Sequence, residues 1–282
     1  MTENIIIPDP ERLEKIKRNF KKAGPEAAHI LSDFDRTLTY HCQSGRKNSA
    51  LISVLSEAGY MPPEYLIKTE ELYDKYYPIE HDPDIPLEEK KAAMVKWWSE
   101  VFGLFISYGL TKEIVERAMT DSGIKLRDDV EDWLDLLERF KVPLIIFSAS
   151  GLGLEAIDIF LDRLEKHNPN IHILANSLIW DETGKAIGVR QPIIHSYNKD
   201  ETLIHNFPFF NEIKNRRNVI LLGDSLGDVG MADGFDYNNL LKIGFLNERV
   251  EDNLTGFKQV YDIVILGDAS FAYINRLFKE IF

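Results

Sequence analysis

Asp33 and Asp35 stand one residue apart in Asp33-Phe34-Asp35-Arg36-Thr37-Leu38-Thr39, directly after the apolar run Ala28-His29-Ile30-Leu31. In extended backbone, side chains i and i+2 point to the same side. The two carboxylates can therefore face one site and take different parts. Asp33 suits a nucleophile, because a carboxylate that attacks phosphorus forms an acyl phosphate that water later cleaves. Asp35 suits a general acid for the departing oxygen, then a base for that water. Phosphate-ester hydrolysis also needs positive charge on the phosphoryl oxygens and a fixed geometry. Three further segments can supply these. Ser148-Ala149-Ser150-Gly151 offers a hydroxyl and backbone N–H groups for phosphate oxygens. Gly223-Asp224-Ser225-Leu226-Gly227-Asp228 offers a tight turn and two acids suited to a hard cation such as Mg²⁺. Lys199, in Asn198-Lys199-Asp200, offers an ammonium. Each segment alone also reads as something plainer: loop aspartates in water, a helix N-cap at Ser148 or Ser150, a Gly-Asp turn, a surface lysine. A turn, however, has no evident need of a second acid four residues after the first. The combination is far more specific than any one part.

The elements that would position these groups are legible as apolar runs. Ile30-Leu31 reads as a first core strand, 143–147 as a second, 219–222 as a third and 263–266 as a fourth. The runs do not alternate, as expected of parallel strands covered on both faces. Each is followed by small or acidic residues and then a helical pattern. That is the βα order of a doubly wound α/β sheet, whose ligands gather at the carboxyl ends of the strands. Residues 8–22 read as a charged amphipathic helix. Residues 42–130 hold helical patterns but no convincing buried strand. Within them Met94, Trp97, Trp98 and Val101 fall on one helix face. The expected organisation is an α/β core over 1–41 and 131–282 with an inserted helical cap over 42–130. Residues 172–195 suggest a small antiparallel excursion around the turn Asp181-Glu182-Thr183-Gly184.

With 282 residues the chain is long enough for a large core and a smaller second domain. Its net charge of −13 argues against nucleic acid or an acidic membrane as the main partner. The same charge means that an anionic substrate must be drawn in by a metal or a few local cations. Cys42 is the only cysteine, so no internal disulfide can form and a reducing, cytoplasmic setting is expected. The three apolar residues Ile5, Ile6 and Ile7 suggest neither a signal peptide nor an anchor. No run approaches the roughly 18 apolar residues of a membrane span. The seven histidines include none at metal-ligand spacing, and His29, inside the first strand, reads as a core residue.

The chain resembles the haloacid dehalogenase superfamily, and within it the pyrimidine 5′-nucleotidases (type III cytosolic 5′-nucleotidases). The resemblance rests on Ser32-Asp33-Phe34-Asp35-Arg36-Thr37-Leu38-Thr39, on Tyr76-Tyr77-Pro78-Ile79-Glu80-His81-Asp82-Pro83, on Ile146-Phe147-Ser148-Ala149 and on Asn198-Lys199. The longest matching segment is Val219-Ile220-Leu221-Leu222-Gly223-Asp224-Ser225-Leu226-Gly227-Asp228-Val229-Gly230-Met231-Ala232-Asp233-Gly234. The resemblance implies a Rossmann-like core with a helical cap, Mg²⁺ dependence, and hydrolysis of a small-molecule nucleoside 5′-monophosphate through an aspartyl phosphate. It implies metal ligands at the Asp33 carboxylate, the Asp35 backbone carbonyl and Asp224, with Asp228 as a supporting acid. It places phosphate contacts at Ser148, Ala149 and Lys199. In the cap it implies that Glu80 contacts the nucleoside and that the Trp98 ring lies against the base. A tryptophan there resembles the branch that also accepts 7-methylguanosine monophosphate.

Two regions depart from the family pattern. Val101 and Phe102 stand where the family has a hydroxyl and a polar residue, and 40–53 matches poorly. Both regions are expected to shape the nucleoside pocket, so base preference stays open, as does oligomeric state. Three other readings remain. One is a phosphatase of another small ester such as phosphoserine. Another is phosphotransfer to an acceptor nucleoside. The third, of a different class, is a catalytically silent nucleotide-binding protein, whose usual sign would be loss of Asp33, Asp35, Lys199 or Asp224.

Overall fold

The computed structural model describes residues 5–43, 46–47, 51–57, 59–82, 84–205, 207–234 and 236–282. Pro83, the last residue of the matching segment 76–83, and five positions of the poorly matching 40–53 stretch (44, 45 and 48–50) lie outside them.

A seven-stranded sheet forms the centre, in the order Ile5–Ile6, Ile263–Leu266, Asn239–Leu246, Asn218–Gly223, Ala28–Ser32, Leu144–Ser148, Ile171–Ala175. All neighbours pair in parallel except Ile5–Ile6, which runs antiparallel to Ile263–Leu266 at the edge. Alternate residues of the central strands enter two different apolar clusters. Ile30, Ile146 and Leu222 pack on one face, and Leu31, Ile145 and Leu221 on the other. A strand covered on both sides disfavours polar residues, hence the apolar runs along these strands. The chain builds outward from Ala28–Ser32 in one direction and then, from Asn218–Gly223, in the other. The reversal leaves a crevice at the carboxyl ends of these two neighbours, where doubly wound sheets place ligands.

Two strands depart from the expectation. Ile171–Ala175 is not part of an antiparallel excursion. It is the outer parallel strand of the main sheet, paired with Leu144–Ser148, and His172 and Ile173 are half-buried, as an edge position permits. The excursion itself is the hairpin of Leu178–Trp180 with Ala186–Val189. Asn239–Leu246, not expected as a strand, lies between Asn218–Gly223 and Ile263–Leu266. Lys242 and Gly244 interrupt its apolar run. Gly244 is required there, because a Cβ would come within 2.5 Å of the Tyr261 ring.

The charged N-terminal helix runs Pro10–Ala23, with Asp9 accepting the Arg12 N–H at 2.9 Å as its cap. Between Ala28–Ser32 and Leu144–Ser148 the chain forms the helices Pro63–His81, Leu87–Ser107 and Lys112–Asp121. The first two pack through aromatic rings: Tyr65 stacks on Phe105 at 6.3 Å and Tyr76 on Trp97 at 5.8 Å. Met94 and Val101 are buried, whereas Trp97 and Trp98 are both half-buried. Adjacent helical residues diverge by about 100°, so both cannot point into one interface.

His29 is buried in its strand and its Nδ1 donates to the Arg216 carbonyl at 2.7 Å. Burial holds the imidazole at about 4, below its ordinary 6.5. The unfolded chain therefore takes the proton first as pH falls. Stability from this group is full above pH 6.5 and is lost progressively down to about pH 4, a change of about 3 kcal/mol. Thermal melts from pH 7 to pH 4 are expected to fall less steeply for His29→Asn than for the wild type. Equal slopes would show that His29 does not report this burial.

Candidate active site

Asp33 is the first residue beyond the strand Ala28–Ser32, and its N–H donates to the Leu222 carbonyl at 3.0 Å. That bond holds the two strand ends level. Asp224 begins the turn after Asn218–Gly223, Ser148 ends the strand Leu144–Ser148, and Lys199 arrives on the loop that follows the hairpin. The four meet. Lys199 Nζ donates to Asp33 Oδ1 at 2.5 Å and to Asp228 Oδ1 at 3.2 Å. Asp33, Asp224 and Asp228 each offer a carboxylate oxygen within 4.8 Å of the others.

Asp228 corrects a reading made from the sequence, because the turn does need its second acid. Asp228 Oδ2 accepts from the N–H groups of Asp224 at 3.1 Å and Ser225 at 3.0 Å, and from Ser225 Oγ at 2.8 Å. One buried carboxylate thus holds the start of the turn and, through Oδ1, aligns Lys199. Gly223 makes room for it, since a Cβ there would lie 2.4 Å from that of Asp228. Both Asp228 oxygens are thus engaged within the protein.

The electrostatics follow from three acids crowded around one ammonium. Burial pushes Asp33 up to about 7; Lys199 opposes this, and the Asp228 charge adds to it. Burial, joined by the charges of Asp33 and Asp228, pushes the half-buried Asp224 well above the usual carboxylate range. Burial alone would lower Lys199, but Asp33 and Asp228 outweigh it and the ammonium is held more tightly than normal. Asp35 accepts the Leu51 N–H at 3.1 Å, and burial nevertheless raises it to about 6. A carboxyl group poised there can hold a proton for a leaving oxygen and surrender it near neutrality.

These groups line a cleft of about 280 Å³, with Ser148, Ala149 and Ser150 on one side and Trp98 on the helix Leu87–Ser107 reaching into it. Ser148 Oγ accepts the Ser150 N–H at 3.1 Å within the loop, and neither serine caps the helix Gly153–Arg163, whose N-cap is Leu152 with no side-chain bond. Asn176 braces this loop by donating to the carbonyls of Ala149, Ser150 and Ile194 at 3.3, 3.2 and 2.9 Å. Glu80 does not line the cleft. Its carboxylate accepts from Ser196 Oγ at 2.6 Å and its carbonyl from Tyr197 Oη at 2.5 Å, joining the helix Pro63–His81 to the Lys199 loop at the rim. Val101 and Phe102 do not line it either. Both are buried, and Phe102 backs Trp98 with ring centroids 5.9 Å apart.

Three residues of this site carried no sequence expectation: Arg36 and Ser196, which line the cleft, and Arg127, buried beneath it. Arg127 donates to the carbonyls of Thr37 at 3.0 Å, Arg36 at 2.6 Å and Ala269 at 3.0 Å, and to Asn247 Oδ1 at 2.6 Å. It thereby ties together the loops after three strands. A cation inside the acid-rich motif was the available signal for Arg36. Nothing local marks Arg127, whose partners are distant in sequence.

Comparison with known proteins agrees with this geometry. The family model described as pyrimidine 5′-nucleotidase (UMPH-1) matches residues 36–282. The 7-methylguanosine phosphate-specific 5′-nucleotidase A of Xenopus laevis is 34% identical over 278 residues, covering 98% of this chain and 95% of that protein. A crystal structure of cytosolic 5′-nucleotidase IIIB bound to cytidine superposes with a TM-score of 0.87 at 29% identity, covering 99% of this chain and 94% of the other. A substrate-bound phosphoserine phosphatase covers 88% of this chain and 96% of its own with a TM-score of 0.52 at 18% identity, a likeness of fold alone. The sheet order and the extent of these matches lead to one assignment: the chain belongs to the pyrimidine 5′-nucleotidase (UMPH-1) family, phosphoric monoester hydrolases built on the haloacid dehalogenase fold.

Proposed function

We propose that the protein hydrolyses nucleoside 5′-monophosphates in the cytosol through an aspartyl phosphate on Asp33. The observation that carries this reading is the Asp33 carboxylate, bonded to Lys199 at 2.5 Å and within 4.8 Å of Asp224 and Asp228. Its Oδ atoms head the strand at the switch point, where a phosphoryl group can be approached in line. Asp35 protonates the departing 5′-oxygen and then takes a proton from the water that cleaves the acyl phosphate. Lys199 and Ser148 Oγ, with the Ala149 N–H, bind phosphoryl oxygens.

The donor set fits Mg²⁺. It is all oxygen, the acids outnumber the ammonium, and one carboxylate oxygen from each of Asp33, Asp224 and Asp228 lies within 4.8 Å of the others. Asp33, Asp224 and the Asp35 carbonyl would hold it, with Asp228 in support. The ion supplies positive charge to the phosphoryl oxygens.

Residues 42–130 act in this reading as a cap over the core of 1–41 and 131–282, and exclude bulk water when the nucleoside is in place. Trp98 presents a flat ring to the base. A 7-methylated guanine carries positive charge, which strengthens its attraction to an indole face. The names of the relatives and the cytidine in the solved structure support 7-methylguanosine monophosphate and CMP as substrates. A cytosolic place is supported by the single cysteine, and among the described residues no helix is long and apolar enough to cross a membrane.

Phosphate release across UMP, CMP, AMP, GMP, 7-methylguanosine monophosphate and phosphoserine, with and without Mg²⁺, tests the reading. Mg²⁺-dependent release from CMP and 7-methylguanosine monophosphate is expected. Faster release from phosphoserine would overturn it. Trp98→Ala is expected to raise KM for 7-methylguanosine monophosphate roughly 5- to 100-fold while leaving phosphoserine hydrolysis unchanged, since only the former has a base to stack.

A further inference from the structure

Of the described residues that line the cleft, two are cationic, Lys199 and Arg36. Lys199 is already committed to Asp33 and Asp228. The Arg36 guanidinium has no carboxylate partner among the described residues, and its Nε is buried without a hydrogen bond. A buried donor left unpaired in a native structure calls for an explanation, and a ligand that arrives later is one.

The backbone strengthens the case. Arg36 sits at φ +64°, where a side chain costs about 1 kcal/mol and glycine costs nothing. Three hydrogen bonds hold it there. Its carbonyl accepts from Arg127 Nη2 at 2.6 Å and Asn247 Nδ2 at 3.0 Å, and its N–H donates to Thr39 Oγ1 at 2.8 Å. The direction of Cβ is therefore fixed, and a long cation is carried into the cleft at a position where the fold alone would favour a smaller residue. The surroundings explain what it would meet. The cleft holds four acids, Asp33, Asp35, Asp224 and Asp228, within a chain of net charge −13. A phosphomonoester dianion entering there needs positive charge that is not already spent. The planar fork of a guanidinium matches two phosphate oxygens at once. Arg36 also lies close enough for its charge to favour the ionised forms of Asp35 and Asp224, which places it beside the reacting group.

We propose that Arg36 is a substrate-binding residue whose guanidinium takes the phosphoryl oxygens of the incoming phosphomonoester. The proposal rests on the nucleotidase reading for the identity of the ester but not for the contact itself. It predicts that Arg36 contributes equally for every ester, because it grips the part they share.

The test uses the full chain with Mg²⁺ and two ligands besides CMP: inorganic phosphate, titrated calorimetrically without turnover, and phenyl phosphate, which has no nucleoside. Arg36→Asn removes the charge and tolerates positive φ; Arg36→Lys keeps the charge without the fork. Arg36→Asn is expected to weaken phosphate binding by about 10- to 100-fold and to lower kcat/KM for phenyl phosphate and CMP by the same factor, with an unchanged melting temperature. Arg36→Lys should recover part of each. Trp98→Ala, measured alongside, should leave phosphate binding untouched. Phosphate affinity that is the same in wild type and Arg36→Asn, whether measurable or absent in both, overturns the proposal, even if CMP hydrolysis alone suffers. A protein that hydrolyses no nucleotide, yet loses phosphate binding with Arg36→Asn, would reject the nucleotidase reading and leave this contact standing.

Discussion

Asp33→Asn will reduce phosphate release from CMP by about 10⁴-fold or more, in line with the loss of a nucleophile in other covalent hydrolases. The amide keeps the shape of the side chain and can still accept from Lys199, but it cannot form an acyl phosphate. The variant will remain folded, because it removes one of three crowded carboxylates and leaves the Lys199 bond to Asp228 in place. Its stability relative to the metal-free wild type has a definite pH dependence. Folding raises Asp33 from 3.8 to about 7, so the folded wild type holds this proton more tightly than the unfolded chain. Wild-type stability from this group is present below pH 3.8 and is lost as pH rises through 7. Asp33→Asn has no such loss and will gain on the wild type between pH 5 and pH 8. Phosphate-release assays and melts at several pH values check both parts. Turnover near the wild-type rate would remove Asp33 as the nucleophile.

Chelation of Mg²⁺ has the second large expected effect. With EDTA present, phosphate release will fall by at least about 10³-fold, and added Mg²⁺ will restore it. The ion will also stabilise the fold, because it binds the native cluster and not the unfolded chain. At a concentration about 100 times its dissociation constant the gain is about 2.7 kcal/mol, or about 5–10 °C for a chain of this size. Protons compete for the same oxygens, and the gain will shrink as pH is lowered from 7 to 5. Asp224→Asn will demand more Mg²⁺ for the same rate, since it removes a charge from the oxygens that face the ion. Full turnover in EDTA would refute the metal assignment.

The central strands were legible because burial on both faces leaves no polar position in Ile30-Leu31, 143–147 or 219–222. The same rule concealed Asn239–Leu246, where half-buried Lys242 breaks the run, and put Ile171–Ala175 in the wrong sheet, since an edge strand tolerates His172. At the site, Asp33, Ser148 and Asp224 could be read from their places at strand ends. Lys199 comes from a loop with no periodicity and by itself reads as a surface lysine, so it stood out only beside the other three segments and the family resemblance. Glu80, which the resemblance alone assigns to the nucleoside, bridges to Ser196 at the rim of the cleft, a partner 116 positions away. Contacts of that separation leave no trace in local pattern. Arg127 and Asn176, which brace the loops beneath the cleft, belong to the same kind.

The buried Arg127 guanidinium has a mechanical implication. Loops that follow Ala28–Ser32, Asn239–Leu246 and Ile263–Leu266 all lend acceptors to one planar group. None can fray without stripping partners from a desolvated cation, whose loss is expensive. These three tips therefore breathe as one cooperative unit, and the loop that carries Asp33 and Asp35 belongs to a single stiff plate rather than standing as a separate finger.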